Sequence, residues 1–245
     1  MIIVGDIGNS EVKICLFKKN KLLKKIYLKS HLINNNYLRK KLFFLNNIKL
    51  IEKIIFSSVV PKIYNLIKKY FYKYFNHTSI EIKQLNLNKL IKINVNKKQI
   101  GSDRLCNAIY VSNNKDNFIV VDFGTATTFD VVVKQKYLGG IIAPGVSLSL
   151  NTLISRASLI PSLKLKKINN ILGKNTINAV RSGFYWGYQG LVQNIIDRIS
   201  KQTKNKYKVI LTGGYSYLFT KSIKQKTVID KDVTIKGLLR ISNCL

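Results

Sequence analysis

Asp6-Ile7-Gly8-Asn9-Ser10 near the start of the chain and Asp122-Phe123-Gly124-Thr125-Ala126-Thr127-Thr128 near its middle decide the fold. Each stretch follows a short apolar run and leads into another, which predicts a strand, a tight turn and a returning strand. The two aspartates stand 116 residues apart in a chain of 245 residues. Similar segments about half a chain apart predict two related domains rather than a solenoid of short repeats.

Helical patterns alternate with the strand patterns in both halves, which predicts an α/β fold of layered sheets and helices. From Pro61 the apolar side chains recur every three or four residues, so an amphipathic helix with a core-facing stripe is expected there. This stripe consists of Ile63, Leu66, Ile67, Tyr70, Phe71, Tyr74 and Phe75. A longer helix is expected from about Thr176 to Thr203.

The polar stretch from Ser112 to Asn117 separates the two halves and predicts the domain boundary. We expect an N-terminal lobe over residues 1–114 and a C-terminal lobe over residues 115–245. The two turns would then face one nucleotide from opposite lobes.

The chain carries 42 Lys and Arg against 11 Asp and Glu, a formal net charge of +31. Such a charge is typical of proteins that bind nucleic acid. However, 36 of the 42 basic residues are lysines spread along the whole chain, and codons for Lys, Asn and Ile can be built from A and T alone. Genomic base composition could produce this charge without selection for DNA binding, so nucleic acid is not an expected partner.

Compartment and membrane association follow from simple counts. No run of 18 apolar residues occurs, so no membrane-spanning helix is predicted. The first residues lack the basic region of a signal peptide, and the three cysteines form no C-x-x-C pair. We therefore expect a protein of the reducing cytoplasm.

The Asp-x-Gly turns have the chemistry of a phosphate site. Gly8 and Gly124 let the backbone approach a ligand closely, and backbone N–H groups with the Ser10 or Thr125 hydroxyl can cradle phosphate oxygens. An aspartate cannot neutralise phosphate by itself and needs an intervening cation, usually Mg²⁺. One such turn alone is weak support because ordinary turns contain Asp and Gly, but two in matching contexts indicate nucleotide binding.

Gly101-Ser102-Asp103-Arg104 is the third candidate segment. The structural interpretation is that Ser102 caps the following helix, since Ser and Asp are favoured at helix starts. The functional interpretation makes Asp103 a general base and has Arg104 hold an anionic group. At a helix N-terminus Asp103 is expected to be a weak base, because that end favours the ionised form.

Glycines mark three further features. Gly183, Gly187 and Gly190 lie in the predicted long helix, where small residues permit close helix packing and predict a subunit interface; packing within one domain is the alternative. Thr212-Gly213-Gly214 could let an adenine ring lie against backbone or form an ordinary turn. Pro144-Gly145 could shape a pocket or turn the chain.

Together these segments resemble the type III pantothenate kinases of the acetate and sugar kinase/Hsp70/actin superfamily. The resemblance spans essentially the whole chain in the expected order. The motifs that carry it are Asp6-x-Gly8-Asn9-Ser10, Gly101-Ser102-Asp103-Arg104 with Asn107-Ala108, Asp122-x-Gly124-Thr125-Ala126-Thr127-Thr128-x-Asp130, Gly139-Gly140 with Pro144-Gly145, Thr176 with Ser182-Gly183, Thr212-Gly213-Gly214, and Val233-Thr234-Ile235-x-Gly237-Leu238.

The resemblance implies two ribonuclease-H-like, actin-like ATPase domains, each a mixed sheet flanked by helices. It implies that ATP phosphorylates the terminal hydroxyl of pantothenate, the first step of coenzyme A synthesis. It also implies a homodimer, ATP bound with Mg²⁺, and dependence on a monovalent cation, K⁺ or NH₄⁺.

The resemblance also assigns roles to residues. The first phosphate loop would be Asp6, Ile7, Gly8, Asn9, Ser10, Glu11, Val12 and Lys13, and Thr125 would contact the ATP phosphates. Asp103 would accept the proton, and Asp122 would bind the monovalent cation. Pantothenate would contact Gly101, Ser102, Asp103 and Arg104, together with Thr176 from the side of the neighbouring subunit.

The chain departs from the family pattern ahead of Gly101. Asn94 and Lys97 stand near positions where the family often has Tyr and Pro, which removes one aromatic substrate contact. Ser102 replaces the commoner Ala.

Two other functions remain open at this point. Another small-molecule kinase of the same superfamily would share both turns but would not need Gly101 to Arg104. A non-catalytic regulatory or nucleic-acid-binding relative would be favoured by the charge of +31.

Overall fold

The computed structural model describes residues 1–48 and 50–245. No helix in this described part of the chain is long and apolar enough to cross a bilayer. The strands and helices follow in chain order as β1 (Ile2–Ile7), β2 (Glu11–Lys18), β3 (Lys21–Lys29), α1 (Asn35–Leu42), β4 (Lys53–Ser58), α2 (Pro61–Phe75), β5 (Ile80–Glu81), β6 (Lys92–Ile93), α3 (Ser102–Val111), β7 (Asn117–Phe123), β8 (Ala126–Val133), β9 (Lys136–Pro144), α4 (Val146–Arg156), α5 (Thr176–Thr203), β10 (Lys208–Gly213), α6 (Ser216–Phe219), β11 (Thr227–Ile229) and α7 (Val233–Ser242).

The chain divides into two compact units. The first unit comprises residues 1–112, 135–137 and 232–245, and the second comprises residues 113–134 and 138–231. By compactness, the C-terminal helix α7 belongs to the first unit, whereas the predicted lobe boundary placed it in the second lobe. A side chain at Gly237 of α7 would clash with the backbone of Cys106 in α3, so this glycine permits the close contact of the two helices.

The first unit is built on a mixed sheet with the strand order β3-β2-β1-β4-β5. Strand β1 runs antiparallel to β2 and parallel to β4. Helices α1 and α2 contribute to its core, which includes the buried side chains of Ile3, Phe56 and Phe71. A short strand of this unit, β6, pairs in parallel with residues 136 and 137 at the start of β9.

Helix α2 confirms the predicted amphipathic helix, and Pro61 is its first residue. The core-facing stripe is narrower than predicted, because Leu66 and Tyr74 are 39% and 41% exposed. Tyr64, outside the predicted stripe, is buried instead, and its hydroxyl donates a hydrogen bond to the Ser79 carbonyl. Tyr64 can be buried because its hydroxyl has a hydrogen-bond partner, although the residue lies beside the predicted apolar stripe.

The second unit repeats the local topology of the first. Its strands follow the order β11-β10-β7-β8-β9, and β7 runs antiparallel to β8 and parallel to β10. Helix α5 covers one face of the sheet with Tyr185, Tyr188 and Val192 in the core. The predicted α/β class with two mixed sheets flanked by helices is therefore confirmed, as are the two strand-turn-strand units that begin each half.

Candidate active site

Asp6 lies near the end of the central strand β1, between two polar neighbours. The register places it opposite Lys13 of β2 and Ser57 of β4. Burial, and then the nearby carboxylate of Asp103, raise the pKa of Asp6 to about 7, while Ser57 and Lys13 act in the opposite direction. The sequence elements Asp6-x-Gly8 and Gly101-x-Asp103 therefore meet in the first unit, and their two carboxylates repel each other.

The turn after Asp6 is held by backbone hydrogen bonds. The Gly8 N–H donates to the Glu11 carbonyl over 3.0 Å, and the Ser30 hydroxyl donates to the Gly8 carbonyl over 2.7 Å. A Cβ at Gly8 would lie 3.1 Å from the Glu11 carbonyl oxygen, so a larger residue would crowd the turn. The predicted tight turn is present, and hydrogen bonds at both the N–H and the carbonyl of Gly8 hold its shape.

Lys13 follows this turn and takes part in a small charge network. Its Nζ lies 3.7 Å from Oδ1 of Asp232, whose Oδ2 lies 2.6 Å from Nζ of Lys25. One carboxylate thus steadies two ammonium groups on neighbouring strands. This network keeps positive charge beside Asp6.

Asp103 lies in the first turn of α3, and its carboxylate folds back towards the start of the helix. Oδ1 accepts a hydrogen bond from the Arg104 N–H at 2.8 Å. Any side chain at Gly101 would clash with the Asp103 carboxylate, so Gly101 makes room for the folded-back conformation. This contact gives a physical reason for the Gly-x-Asp spacing.

The electrostatics of Asp103 differ from the prediction of a weak base. Burial raises the pKa of its carboxyl, and the Arg104 N–H, the Arg104 charge and the Lys83 charge only partly oppose that rise. Desolvation outweighs the helix N-terminus, which the sequence argument had taken as dominant. A raised pKa makes Asp103 a better proton acceptor than the sequence suggested.

The prediction that Ser102 caps α3 is wrong. Gly101 occupies the N-cap position without a side-chain hydrogen bond, and Ser102 is the first helical residue. The fully buried Ser102 hydroxyl instead donates to Oε1 of Glu81 at 2.5 Å. The sequence pattern could not indicate this, because the acceptor lies 21 residues away on another element.

The second loop, in the second unit, connects β7 to β8. Asp122 lies near the end of β7, and Thr125 is exposed at the tip of the loop. The Gly124 N–H donates to the Ala126 carbonyl over 3.1 Å. Gly213, with a φ of +83°, lies beside this loop, and a Cβ there would lie 2.6 Å from Oδ1 of Asp122. A glycine therefore leaves space around the Asp122 carboxylate.

Helix α4 begins directly against the second loop. A side chain at Gly145, its N-cap residue, would clash with the Thr125 carbonyl. The start of a helix presents backbone N–H groups without helical partners and favours anions. Pro144-Gly145 therefore brings a second set of donors to the loop, a role that the sequence analysis left open.

Thr176 is the exposed first residue of α5, where the Asn175 side chain caps the helix by accepting from the Asn178 N–H. The predicted start and end of this long helix, Thr176 and Thr203, are confirmed. Gly183, Gly187 and Gly190 are exposed, and a Cβ at any of them would meet open space.

The sequence and the fold both match known proteins. The sequence model of the type III pantothenate kinase family matches residues 2–198, which include both Asp-x-Gly turns and the Gly-x-Asp-Arg segment. The chain belongs to the type III pantothenate kinase family. A relative in Pelagibacter ubique (strain HTCC1062), named type III pantothenate kinase, is 57% identical over 247 residues. The alignment covers 100% of this chain and 100% of the relative.

Solved structures support the fold of this family member. A conserved Baf family protein from Campylobacter jejuni has a TM-score of 0.63 at 19% identity, covering 99% of this chain and 100% of that one. A ROK family glucokinase from Streptomyces griseus, solved with glucose and AMPPNP, has a TM-score of 0.57 at 9% identity, covering 99% and 98%. At these identities the likeness concerns the fold alone.

Glu81, Lys83 and Ser57 surround the acidic residues of this type III pantothenate kinase family member, and the sequence analysis did not single them out. Ser57 lies opposite Asp6 across the strands and opposes the rise in the pKa of the Asp6 carboxyl, and the charge of Lys83 opposes the rise in the pKa of the Asp103 carboxyl. No local pattern indicates Glu81, because its partner Ser102 lies 21 residues further along the chain.

Proposed function

We propose that this chain transfers the γ-phosphoryl group of ATP to the terminal hydroxyl of pantothenate, giving 4'-phosphopantothenate. Membership of the family supports the reaction, and the raised pKa of the partly buried Asp103 carboxyl is the observation that supports its site. A kinase for another small molecule would not need the Gly101 to Arg104 segment, so that alternative is less well supported.

Asp103 is the proposed general base. As the substrate hydroxyl attacks the γ-phosphorus, its proton passes to a carboxylate oxygen of Asp103, and ADP leaves with the electron pair of the broken bond. Only the ionised carboxylate can accept that proton, and a raised pKa increases the affinity of the carboxylate for it. In phosphoryl transfer, positioning and charge stabilisation supply most of the rate.

The two loops are the proposed phosphate sites, one in each unit. In the first unit these are residues 6–13, where Lys13 supplies positive charge beside the turn. In the second unit Thr125 is exposed at the loop tip, and the start of α4 adds N–H donors against it. Backbone N–H groups of this kind bind phosphate oxygens well.

Mg²⁺ fits the donor set around Asp6. Burial and the Asp103 carboxylate raise the pKa of Asp6 although Lys13 opposes that rise, and a divalent cation beside the two carboxylates would offset their mutual repulsion. We propose that Asp6 holds Mg²⁺ together with oxygens of the substrate phosphates, as is usual for this ion. The ion would offset phosphate charge.

A monovalent cation, K⁺ or NH₄⁺, is proposed at Asp122. The fit rests on the space beside its carboxylate, which a Cβ at Gly213 would fill. Carboxylate and carbonyl oxygens are suitable ligands for such an ion. The cation would add positive charge at the second loop.

Pantothenate is proposed to contact Gly101, Ser102, Asp103 and Arg104 in the first unit. Arg104 offers a planar guanidinium that matches the pantothenate carboxylate. Thr176 is proposed to contact the substrate from the neighbouring subunit, which is compatible with its exposure.

A homodimer is proposed to form through the exposed glycine face of α5. The aromatic residues between these glycines, Tyr185 and Tyr188, face the core of their own unit. Gly183, Gly187 and Gly190 instead present open backbone, which would permit close approach of a second helix.

We also propose a reducing cytoplasmic setting, because Cys15, Cys106 and Cys244 are free thiols.

The proposed function is tested by coupling ADP release to an optical readout with pantothenate as acceptor. We expect ADP production that depends on pantothenate, and mass spectrometry of the product should show one added phosphoryl group. The assay is run in K⁺ and then in Na⁺, and we expect higher activity in K⁺. Absence of pantothenate-dependent ADP would overturn the reaction, while equal rates in K⁺ and Na⁺ would overturn only the monovalent cation.

A further inference from the structure

Ser102 is a fully buried serine directly before Asp103. A buried hydroxyl without a hydrogen-bond partner is costly, so the position of Ser102 depends on the acceptor that it finds. That acceptor is Oε1 of Glu81 at 2.5 Å, and the charge of the carboxylate strengthens the bond. An alanine at position 102 would need no acceptor, so the Ser102–Glu81 pair follows from this chain's own sequence.

The second oxygen of Glu81 is also occupied. Oε2 accepts a hydrogen bond from the Lys83 N–H at 2.8 Å, and this fixes the short turn after β5. The Lys83 side chain continues the connection, because its Nζ lies 3.4 Å from the Lys98 carbonyl oxygen. One carboxylate therefore joins the turn after β5 to the first residue of α3.

Both partners of Glu81 act on Asp103. Ser102 precedes Asp103 in the chain, and the charge of Lys83 lowers the pKa of the Asp103 carboxyl. The Asp103 carboxylate occupies the space that a side chain at Gly101 would fill, so its folded-back conformation depends on where the first residues of α3 lie. A shift of Ser102 would therefore move the Asp103 carboxylate out of its folded-back conformation.

We propose that Glu81 is a positioning residue for the kinase reaction. It holds the start of α3 through Ser102 and the turn after β5 through Lys83, so that the Asp103 carboxylate keeps the orientation needed to accept a proton. The inference rests on the proposed function in assigning a catalytic effect. The hydrogen-bonded arrangement itself can be tested without any activity.

The variants are Glu81→Ala, Glu81→Gln, Ser102→Ala and the Glu81→Ala/Ser102→Ala double variant. Gln keeps an acceptor oxygen for Ser102 at nearly the same size. Glu52→Ala is the matched control, because Glu52 is a carboxylate of the same unit whose ion-pair partner is the N-terminal amine. For each variant we measure kcat, the KM of each substrate, and amide hydrogen exchange across the chain.

Glu81→Ala is expected to lower kcat about tenfold while the KM for ATP stays within twofold, because misplaced reacting groups slow the chemical step. Glu81→Gln should restore most of kcat. In the Ser102→Ala background, removing Glu81 should cost much less than in the wild type. Glu52→Ala should behave as the wild type does.

Hydrogen exchange supplies the readout that does not need catalysis. The Leu105 N–H, which donates to the Gly101 carbonyl, should exchange faster in Glu81→Ala, whereas peptides from α5 should not change. Wild-type kcat and exchange in Glu81→Ala would overturn the proposal. So would faster exchange throughout the chain with no recovery in Glu81→Gln, since that indicates general destabilisation. Faster exchange at α3 in a protein that does not phosphorylate pantothenate would refute the proposed function and the catalytic effect of Glu81, and would support only its structural hold on the start of α3.

Discussion

At the scale of single residues, the first unit keeps two carboxylates close together although its proposed substrates are anions. Burial raises the pKa of both Asp6 and Asp103, and each loses some of the solvation that would favour its charge. Buried carboxylates with raised pKa values are characteristic of functional sites, where groups are held in states that they would not adopt in water. Burying two carboxylates costs stability, as expected if both serve the proposed reaction.

Asp103→Asn should abolish most turnover while the fold survives. Asn matches the size of Asp but cannot accept a proton, so kcat should fall by about 10²–10⁴-fold. Circular dichroism and the thermal midpoint provide the control for folding. A folded Asp103→Asn protein with nearly wild-type kcat would remove Asp103 from the mechanism.

Asp6→Asn should change how stability depends on pH. The pKa of Asp6 is about 7 in the folded protein against 3.8 for the ordinary group, so between these values the folded state binds more protons. The free energy of unfolding of the wild type therefore falls as pH rises from about 4 to about 7.

The Asp6→Asn variant lacks this penalty. It should be more stable than the wild type at pH 8, and the difference should shrink towards pH 4, where the wild-type carboxyl is protonated. Denaturant unfolding at pH 4.5, 6 and 8 measures the effect. Parallel stability curves for the two proteins would contradict the raised pKa of Asp6.

Residue types predicted candidate reactive groups but not their surroundings. Asp103 was singled out because Gly-x-Asp-Arg is a compact local pattern. Its pKa shift was missed, because burial depends on elements distant in the sequence. The acceptor of Ser102 was missed for the same reason, since Glu81 has no local relation to α3.

At the scale of elements, glycines set how closely a helix start approaches its neighbours. Gly101 makes room for the Asp103 carboxylate, and Gly145 lets α4 begin against the Thr125 carbonyl. Both positions have ordinary negative φ angles, so they need the absence of a side chain rather than an unusual backbone. The glycines within α5 differ, because open space surrounds them.

Gly101→Ala should therefore cost activity, whereas Asn65→Ala on the exposed face of α2 should not. The new methyl group at position 101 would displace the Asp103 carboxylate, and kcat should fall at least tenfold. Asn65 lies outside the proposed substrate site and the proposed dimer face, and Ala favours a helix over Asn. Steady-state kinetics and thermal melts on both variants test the contrast. Equal activity of the two variants would contradict the contact between Gly101 and Asp103.

Element prediction was most successful where periodicity was long. The ends of α5 and the start of α2 were predicted correctly, because three-to-four spacing over many residues has no strand equivalent. The width of the α2 stripe was overestimated, since periodicity gives the direction of a face but not the size of the surface that covers it. The place of α7 beside α3 could not be read from a single ten-residue pattern.

At the scale of the whole molecule, the proposed dimer predicts that Gly187→Arg yields a monomer. The position is exposed with open space around it, so an arginine should be tolerated within one chain but not in a close helix contact. Asn65→Arg on the exposed face of α2 adds the same charge elsewhere and should stay dimeric. Sedimentation equilibrium at low and high salt gives the masses. A Gly187→Arg protein that remains dimeric at low salt, where repulsion is least screened, would exclude this face.

The net charge of +31 leads to a prediction about how the protein binds duplex DNA. Any protein with such a charge should bind duplex DNA weakly at low salt, because phosphate contacts release counterions. If base composition explains the charge, two unrelated duplexes should bind equally, and the affinity should fall steeply with salt, by about 0.9 log units per tenfold salt increase for each phosphate contacted. Fluorescence anisotropy at about 20 to 200 mM salt, a range over which the Debye length falls roughly threefold, measures this. Preference for one duplex, or tight binding that persists at the highest salt, would instead give the lysines a function in nucleic-acid recognition.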